Sequence, residues 1–282
     1  MRVLIALLLC SAALSAQPRR IVSTSPSITE TLFALGLGSR VAGVSTHCHY
    51  PPEVKSIPKV GGYVKPNVET ILSLRPDLVI VQRAAHDLAN QLARFNIRVA
   101  EVEPENLTEA LQSIRAIGKA AGVETRAEQL VADIRARLDS LRLRTEKLPR
   151  RSLLFIVGRT PGRLDGIVAV GSGSYLNELI RIAGGRNALA DALPAYPRIS
   201  LETIIRLNPD VILDMGSMAD TAVVTEEHKQ SVLAMWKSQP MLKAVAGGRL
   251  FPVASDIYVV PGPRMIDAAV SFAQMLHPEE QW

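Results

Sequence analysis

The residues most able to do chemistry are gathered at His47-Cys48-His49. In an extended segment His47 and His49 project to one side and Cys48 to the other. Imidazole or thiolate donors at such a place suit a soft or borderline metal carried by a ligand, such as cobalt or iron. His86, His228 and His277 are scattered through the rest of the chain, so no four-ligand structural zinc site is assembled in the sequence. Three readings stand side by side: contact of His47, Cys48 and His49 with a ligand-borne metal, lining of a cleft without coordination, and plain packing. No resident cofactor is expected.

Aromatic residues make up only 4% of the chain, so the placement of tyrosines is informative. Tyr50, Tyr63, Tyr196 and Tyr258 fall in loops rich in Pro or Gly rather than inside regular elements. A tyrosine presents a flat apolar face with a polar tip, which suits a large planar ligand. Arg83 follows an aliphatic strand signal, and Arg264 follows the turn Pro261-Gly262-Pro263. Either guanidinium can donate to amide or carboxylate oxygens of a solute; the competing reading of Arg264 is a helix-start residue facing solvent. Gly171-Ser172-Gly173-Ser174 lacks the Lys of a phosphate-binding loop and reads as a turn with a Ser cap for the next helix. Neither G-x-S-x-G nor H-E-x-x-H occurs, so a secreted hydrolase is disfavoured and no enzymatic activity is expected.

The elements that must position these residues are announced by an internal repeat. Val68-Glu69-Thr70-Ile71-Leu72-Ser73-Leu74-Arg75-Pro76-Asp77-Leu78-Val79-Ile80 recurs as Leu201-Glu202-Thr203-Ile204-Ile205-Arg206-Leu207-Asn208-Pro209-Asp210-Val211-Ile212-Leu213. Each copy reads as a short amphipathic helix, a Pro-stopped turn and a buried strand. A weaker echo links Thr29-Glu30-Thr31-Leu32 with Asn177-Glu178-Leu179-Ile180. Strand signals at 20–24, 41–45, 79–82 and 99–102 alternate with helix signals at 27–35 and 88–95, which implies a largely parallel sheet. Residues 124–147 then run without Gly or Pro, with Leu130, Ile134, Leu138 and Leu141 on one face. Such a helix spans roughly 36 Å and makes a stiff connector. The expected organisation is a leader at 1–16, an α/β lobe at 17–121, a connecting helix at 122–149 and a second α/β lobe at 150–282.

Composition bounds the function classes. The chain has 282 residues, 48% hydrophobic and 21% charged, enough for two modest cores and without disordered tracts. A net charge of +5 is spread along the chain with no interleaved aromatics, which argues against nucleic acid. Arg2, the apolar run Val3 to Leu9 and the small residues to Ala16 form a cleaved export signal. Cys10 would suit a lipid anchor, but Leu9 precedes it where a small residue is wanted, so cleavage after Ser15 or Ala16 is expected. The mature chain then keeps only Cys48, and no internal disulfide.

Taken in order, Ser25-Pro26-Ser27-Ile28-Thr29-Glu30, Gly43-Val44-Ser45, Tyr50-Pro51-Pro52-Glu53, Asn67-Val68-Glu69, Gly184-Gly185-Arg186-Asn187, the two Pro-Asp strands and Pro261-Gly262-Pro263-Arg264 resemble the solute-binding proteins whose lobes are joined by one rigid helix. That group serves vitamin B12, ferric siderophores and haem, and its vitamin B12-binding members look most similar. The resemblance implies two Rossmann-like α/β lobes, a ligand in the cleft between them, residence in the periplasm as a monomer, and delivery to the permease dimer of an ABC importer. It matches Tyr50, Tyr63 and Tyr196 to positions where B12-binding members set aromatics on the corrinoid, although tryptophan is familiar at two of these. It also matches Glu69 and Glu202 to permease docking, one carboxylate per lobe on a two-fold symmetric partner. Both also suit the first turn of a helix without any partner, through the helix dipole. A ferric-siderophore or haem carrier, and a simple metal-ion binder at His47 and His49, are the alternatives.

Overall fold

The computed structural model describes residues 17–192, 194–216 and 225–282; the expected leader lies outside the described residues. The first half contains β1 (Ile21–Ser23), α1 (Pro26–Ala34), β2 (Val41–Val44), α2 (Val68–Ser73), β3 (Leu78–Gln82), α3 (His86–Ala93), β4 (Arg98–Val102) and α4 (Leu107–Ala121). Its four strands lie in the order β2-β1-β3-β4, all parallel. Strand β3, Leu-Val-Ile-Val-Gln, is buried through its first four residues, as expected of a strand covered on both faces. Because β1 has β2 on one side and β3 on the other, the winding direction changes beside β1. In such sheets the crevice opens outside the carboxyl ends of the strands at that change.

Helix α5 (Glu124–Thr145) has 22 residues, which at 1.5 Å each span about 33 Å. It stops two residues before the expected 147, with Glu146 as its cap. Ala127, Val131, Ile134, Leu138, Leu141 and Thr145 are buried on it, one stripe at the helical period, while Leu130 is half-buried at the margin. Its first half is fastened to the first lobe, with Arg126 donating to the Leu35 carbonyl and Arg115 of α4 paired with Glu128. Its second half is fastened to the second lobe, through Arg137 to Asp267, Arg144 to the Gln281 carbonyl and Thr145 to the Ile182 carbonyl. One hydrophobic core runs through this helix from Ile28 and Ile114 to Leu179 and Phe272. The connector is therefore clamped along its length.

The second half contains β5 (Ser152–Gly158), β6 (Ile167–Ala169), α6 (Tyr175–Ile182), β7 (Arg186–Asn187), β8 (Arg198–Ile199), α7 (Leu201–Leu207), β9 (Val211–Asp214), α8 (Glu226–Trp236), α9 (Lys243–Ala246), β10 (Leu250–Pro252) and α10 (Met265–Leu276). Six strands form a sheet in the order β10-β9-β5-β6-β8, with β7 also paired to β5. Strands β10, β9, β5 and β7 are parallel, but β6 runs antiparallel to both β5 and β8. The architecture is two α/β lobes joined by a long helix, with one antiparallel insertion in the second sheet.

The two repeat copies fold alike to the level of single atoms. Asn67 and Ser200 cap α2 and α7 by accepting from the backbone N–H of Thr70 and Thr203; such a cap contributes about 1 kcal/mol. Arg75 and Asn208, equivalent in the repeat, both take positive φ, 47° and 42°, to turn the chain after the helix. Asp77 then accepts from the backbone N–H of Arg19 and Arg20 just before β1, and Asp210 from that of Ser152 at the start of β5. Each Pro-Asp thus pins its own strand to the neighbouring one.

Candidate ligand-binding cleft

The segment after β2 places His47 and His49 outward and Cys48 inward, so the alternation expected of an extended stretch holds. Cys48 is 1% exposed, and its thiol lies 3.2 Å from the Thr29 hydroxyl. Burial pushes this thiol up to about 11, so it stays protonated and faces the core. Cys48 is therefore a packing residue, and the expectation that it could meet a ligand-borne metal is corrected. Among the described residues no group of three His, Cys, Asp or Glu side chains is placed to hold a metal ion.

Three tyrosines keep exposed rings. Tyr50 and Tyr63 are each 42% exposed and Tyr196 is 37% exposed. The Tyr63 ring meets His47 edge-on, with centroids 5.6 Å apart. Tyr196 presents an exposed ring face while its hydroxyl is enclosed beside the Ser174 hydroxyl, 3.3 Å away. Burial raises the Tyr196 phenol above its ordinary value, the Ser174 hydrogen bond opposes this, and the nearby Tyr63 adds to it. Tyr63 belongs to the first lobe and Tyr196 to the second. Behind them Tyr175 is fully enclosed, its phenol raised by burial and then by Tyr196 and Glu30. Tyr196 does not follow the carboxyl end of a strand; it precedes β8, and the antiparallel β6–β8 pair carries it to this position.

Tyr258 is different. It is 6% exposed, its ring stacks on Phe272 with centroids 5.7 Å apart and meets Phe155 edge-on, and its hydroxyl pairs with Ser271 at 2.8 Å. The expectation of a ligand-facing tyrosine there is overturned. A ring flanked by Phe155 and Phe272 gains more from core burial than a loop position can show in sequence.

Both candidate arginines are already paired. Arg83, just beyond β3, is bridged to Glu103, just beyond β4. Arg264 reaches across the molecule: its Nε donates to Glu30 Oε2 at 2.9 Å, its Nη2 donates to Glu30 Oε1, and Asp256 lies 3.0 Å away. Its guanidinium carbon also sits 3.7 Å from the centre of the Tyr50 ring. Burial alone would lower the Arg264 pKa, but Glu30 and Asp256 outweigh it and hold the guanidinium charged. Conversely, burial raises Glu30 and Arg264 draws it back. Arg264 is thus neither a solvent-facing helix start nor a free donor. Sequence reading passed over Glu30, Asp256 and Glu103. Glu30 did leave a signal, since it sits between the apolar Ile28 and Leu32 on a helix whose residues 27–32 are all buried, and a buried carboxylate needs a cation.

Glu69 and Glu202 are exposed in the first turns of α2 and α7. The Ser200 hydroxyl lowers the Glu202 pKa. A separate recess lined by Pro18, Arg19, Asp77 and Arg98 lies at the amino ends of β1, β3 and β4, the edge opposite the crevice. No exposed tyrosine ring lines it, and the carboxyl-edge crevice is the better candidate.

Two α/β lobes, a helix clamped to both and exposed tyrosines on loops of each lobe are the features of a two-lobed solute-binding protein. The profile of the periplasmic binding protein family matches residues 21–256, and the chain belongs to that family. It is 32% identical over 271 residues, 93% of this chain and 81% of the relative, to YvrC, an uncharacterised ABC transporter substrate-binding lipoprotein of Bacillus subtilis strain 168. The periplasmic vitamin B12-binding protein BtuF of Vibrio cholerae superposes with a TM-score of 0.76 at 26% identity, covering 94% of this chain and 99% of that one. The periplasmic haem-binding protein RhuT of Roseiflexus sp. RS-1 superposes with a TM-score of 0.76 at 29% identity, covering 92% and 99%.

Proposed function

We propose that this protein captures a corrinoid of the vitamin B12 type between its lobes, outside the cytoplasm, and delivers it to the permease of an ABC importer. The observation that carries the reading is the set of exposed tyrosine rings, Tyr50 and Tyr63 from the first lobe and Tyr196 from the second. Flat faces from both sides suit a wide, flat, largely apolar ring system. The pairing of Arg264 with Glu30 and Asp256 supports a ligand of low net charge. A polyanionic ferric chelate would call for unpaired cations. A haem ligand is the second reading; the exposed His47 beside Tyr63 favours it, since both are iron-binding side chains.

Titration of the purified protein with cyanocobalamin, haemin and a ferric siderophore separates these readings. Saturable binding of cyanocobalamin alone is expected; haemin binding with a shifted Soret band and no corrinoid uptake would replace the first reading by the second. On the permease side, Glu69 and Glu202 form the docking pair in this reading. The double variant Glu69→Arg with Glu202→Arg is expected to abolish uptake by cells while ligand affinity changes by less than about twofold. A large loss of affinity would move these carboxylates from the docking surface into the pocket.

A further inference from the structure

Arg264 is the only described side chain whose cation lies over one of the exposed tyrosines, and it belongs to the other lobe. Its guanidinium carbon is 3.7 Å from the Tyr50 ring centre, within the range where a cation is held by an aromatic face. The same guanidinium is fixed from behind by Glu30 of α1 and by Asp256. The Glu30 side chain is 3% exposed and that of Arg264 18%. The turn that carries Arg264 is also seated tightly: a methyl group on Gly262 would stand 3.3 Å from Glu30 Oε2 and 3.6 Å from Ser27 Cα. A buried fork with both partners fixed is a rigid support, unlike an exposed pair.

We infer that Arg264 is a positioning residue for the ligand site: clamped by Glu30, it holds one face of the Tyr50 ring from across the cleft floor and leaves the opposite face for the ligand. Tyr50 therefore has its orientation set by the second lobe although it belongs to the first. This inference rests on Tyr50 being a ligand surface, and so on the carrier reading. The orientation of the ring itself can be read without any ligand.

The test uses the protein with all five tyrosines replaced biosynthetically by 3-fluorotyrosine, each fluorine resonance assigned by single Tyr→Phe variants. Arg264→Gln strands the Glu30 carboxylate, so Glu30→Gln with Arg264→Gln is the companion variant that removes the cation and leaves the net charge of the group unchanged, with Asp256 as its remaining carboxylate. Both are expected to shift or broaden the Tyr50 resonance while those of Tyr196 and Tyr258 stay in place. A Tyr50 resonance unmoved in a folded companion variant would overturn the inference, whatever the ligand proves to be. With cyanocobalamin as probe, the companion variant is expected to lose about tenfold in affinity, and adding Tyr50→Ala should cost nothing further, whereas adding Tyr196→Ala should cost its full separate amount. Additive losses with Tyr50→Ala would show that Arg264 acts elsewhere. Absence of cyanocobalamin binding to the unaltered protein would defeat the corrinoid reading and leave the fluorine result standing as the judge of Arg264.

Discussion

The carboxyl edges of the two sheets each carry an arginine–carboxylate pair and use it in opposite ways. On the first sheet Arg83 follows β3 and bridges Glu103 beyond β4, with side chains 64% and 30% exposed. On the second, Arg159 follows β5 and bridges Asp214 at the end of β9, with side chains 4% and 0% exposed. Asp214 also accepts from the Trp236 indole at 2.7 Å and from the Gly216 backbone N–H at 2.8 Å. An exposed pair is screened and can exchange its partner for water or a ligand. A buried pair with every lone pair engaged holds its surroundings in one arrangement. The first edge is accordingly the more adaptable of the two, and the second a fixed wall.

The largest effect should come from breaking the fixed wall. Asp214→Ala strands Arg159 and is expected to lower stability to urea by about 3–5 kcal/mol, whereas Glu103→Ala should cost less than about 1 kcal/mol. Equal losses in the two unfolding curves would erase the distinction.

Where the lobes are built alike, the effects should match. Asp77→Ala and Asp210→Ala each remove strand-pinning hydrogen bonds and are expected to cost about 1–3 kcal/mol. Asp210 adds a pH signature. Burial works to raise its pKa, but hydrogen bonds from Ser152 and the nearby Lys243 and Arg249 outweigh this and leave it below the usual 3.8. A carboxylate depressed in the folded state stabilises fully above its unfolded pKa and loses that contribution as pH falls through the folded one. Acid unfolding curves of Asp210→Asn should therefore converge on those of the unaltered protein as pH falls below 3.8 and through the depressed folded pKa.

The second lobe carries a buried histidine, His277. Both ring nitrogens of His277 are enclosed; Glu279 Oε1 lies 4.0 Å from Nδ1, the backbone of Ala183 and Gly184 and the Trp282 ring adjoin the imidazole, and Arg151 is the nearby cation. Burial, and then Arg151, lower its pKa from 6.5. The unfolded chain binds this proton more readily, so stability should be full above pH 6.5 and fall as pH drops below it. His277→Leu is expected to flatten that fall, and hydrogen exchange of residues 277–282 should report it first. An unchanged slope would place the acid sensitivity elsewhere.

The smallest effect lies at the turn. Arg75 and Asn208 both hold a left-handed backbone, a conformation that costs Asn less than Arg. Arg75→Asn is expected to stabilise by about 0.5–1 kcal/mol, while Asn208→Arg should lose a similar amount. Unchanged thermal unfolding would mean the two turns differ despite their shared sequence.

Much of this fold was legible beforehand because its signals are local. The repeated helix–Pro-Asp–strand unit, the uninterrupted run that became α5 and the outward His47 and His49 each depend on near neighbours in the chain. The short strands β6, β7 and β8 were not legible, since their pairing to one another and to β5 depends on residues distant in the chain, and β6 and β8 are what place Tyr196. Sequence grouped Tyr258 with the exposed tyrosines because a loop position says nothing of what packs on it.

The amino-acid order by itself determined two homologous α/β units, a helix between them and a scarcity of aromatics that marked Tyr50, Tyr63 and Tyr196. Those properties follow from periodicity, turn chemistry and composition, all of short range. Only the tertiary structure decided that Arg264 meets Glu30, 234 positions away, that Cys48 and Tyr258 face inward, and that both candidate arginines are already neutralised. Ion pairing and burial depend on which surfaces the packed lobes bring together, and contacts so distant along the chain leave no periodic trace in it.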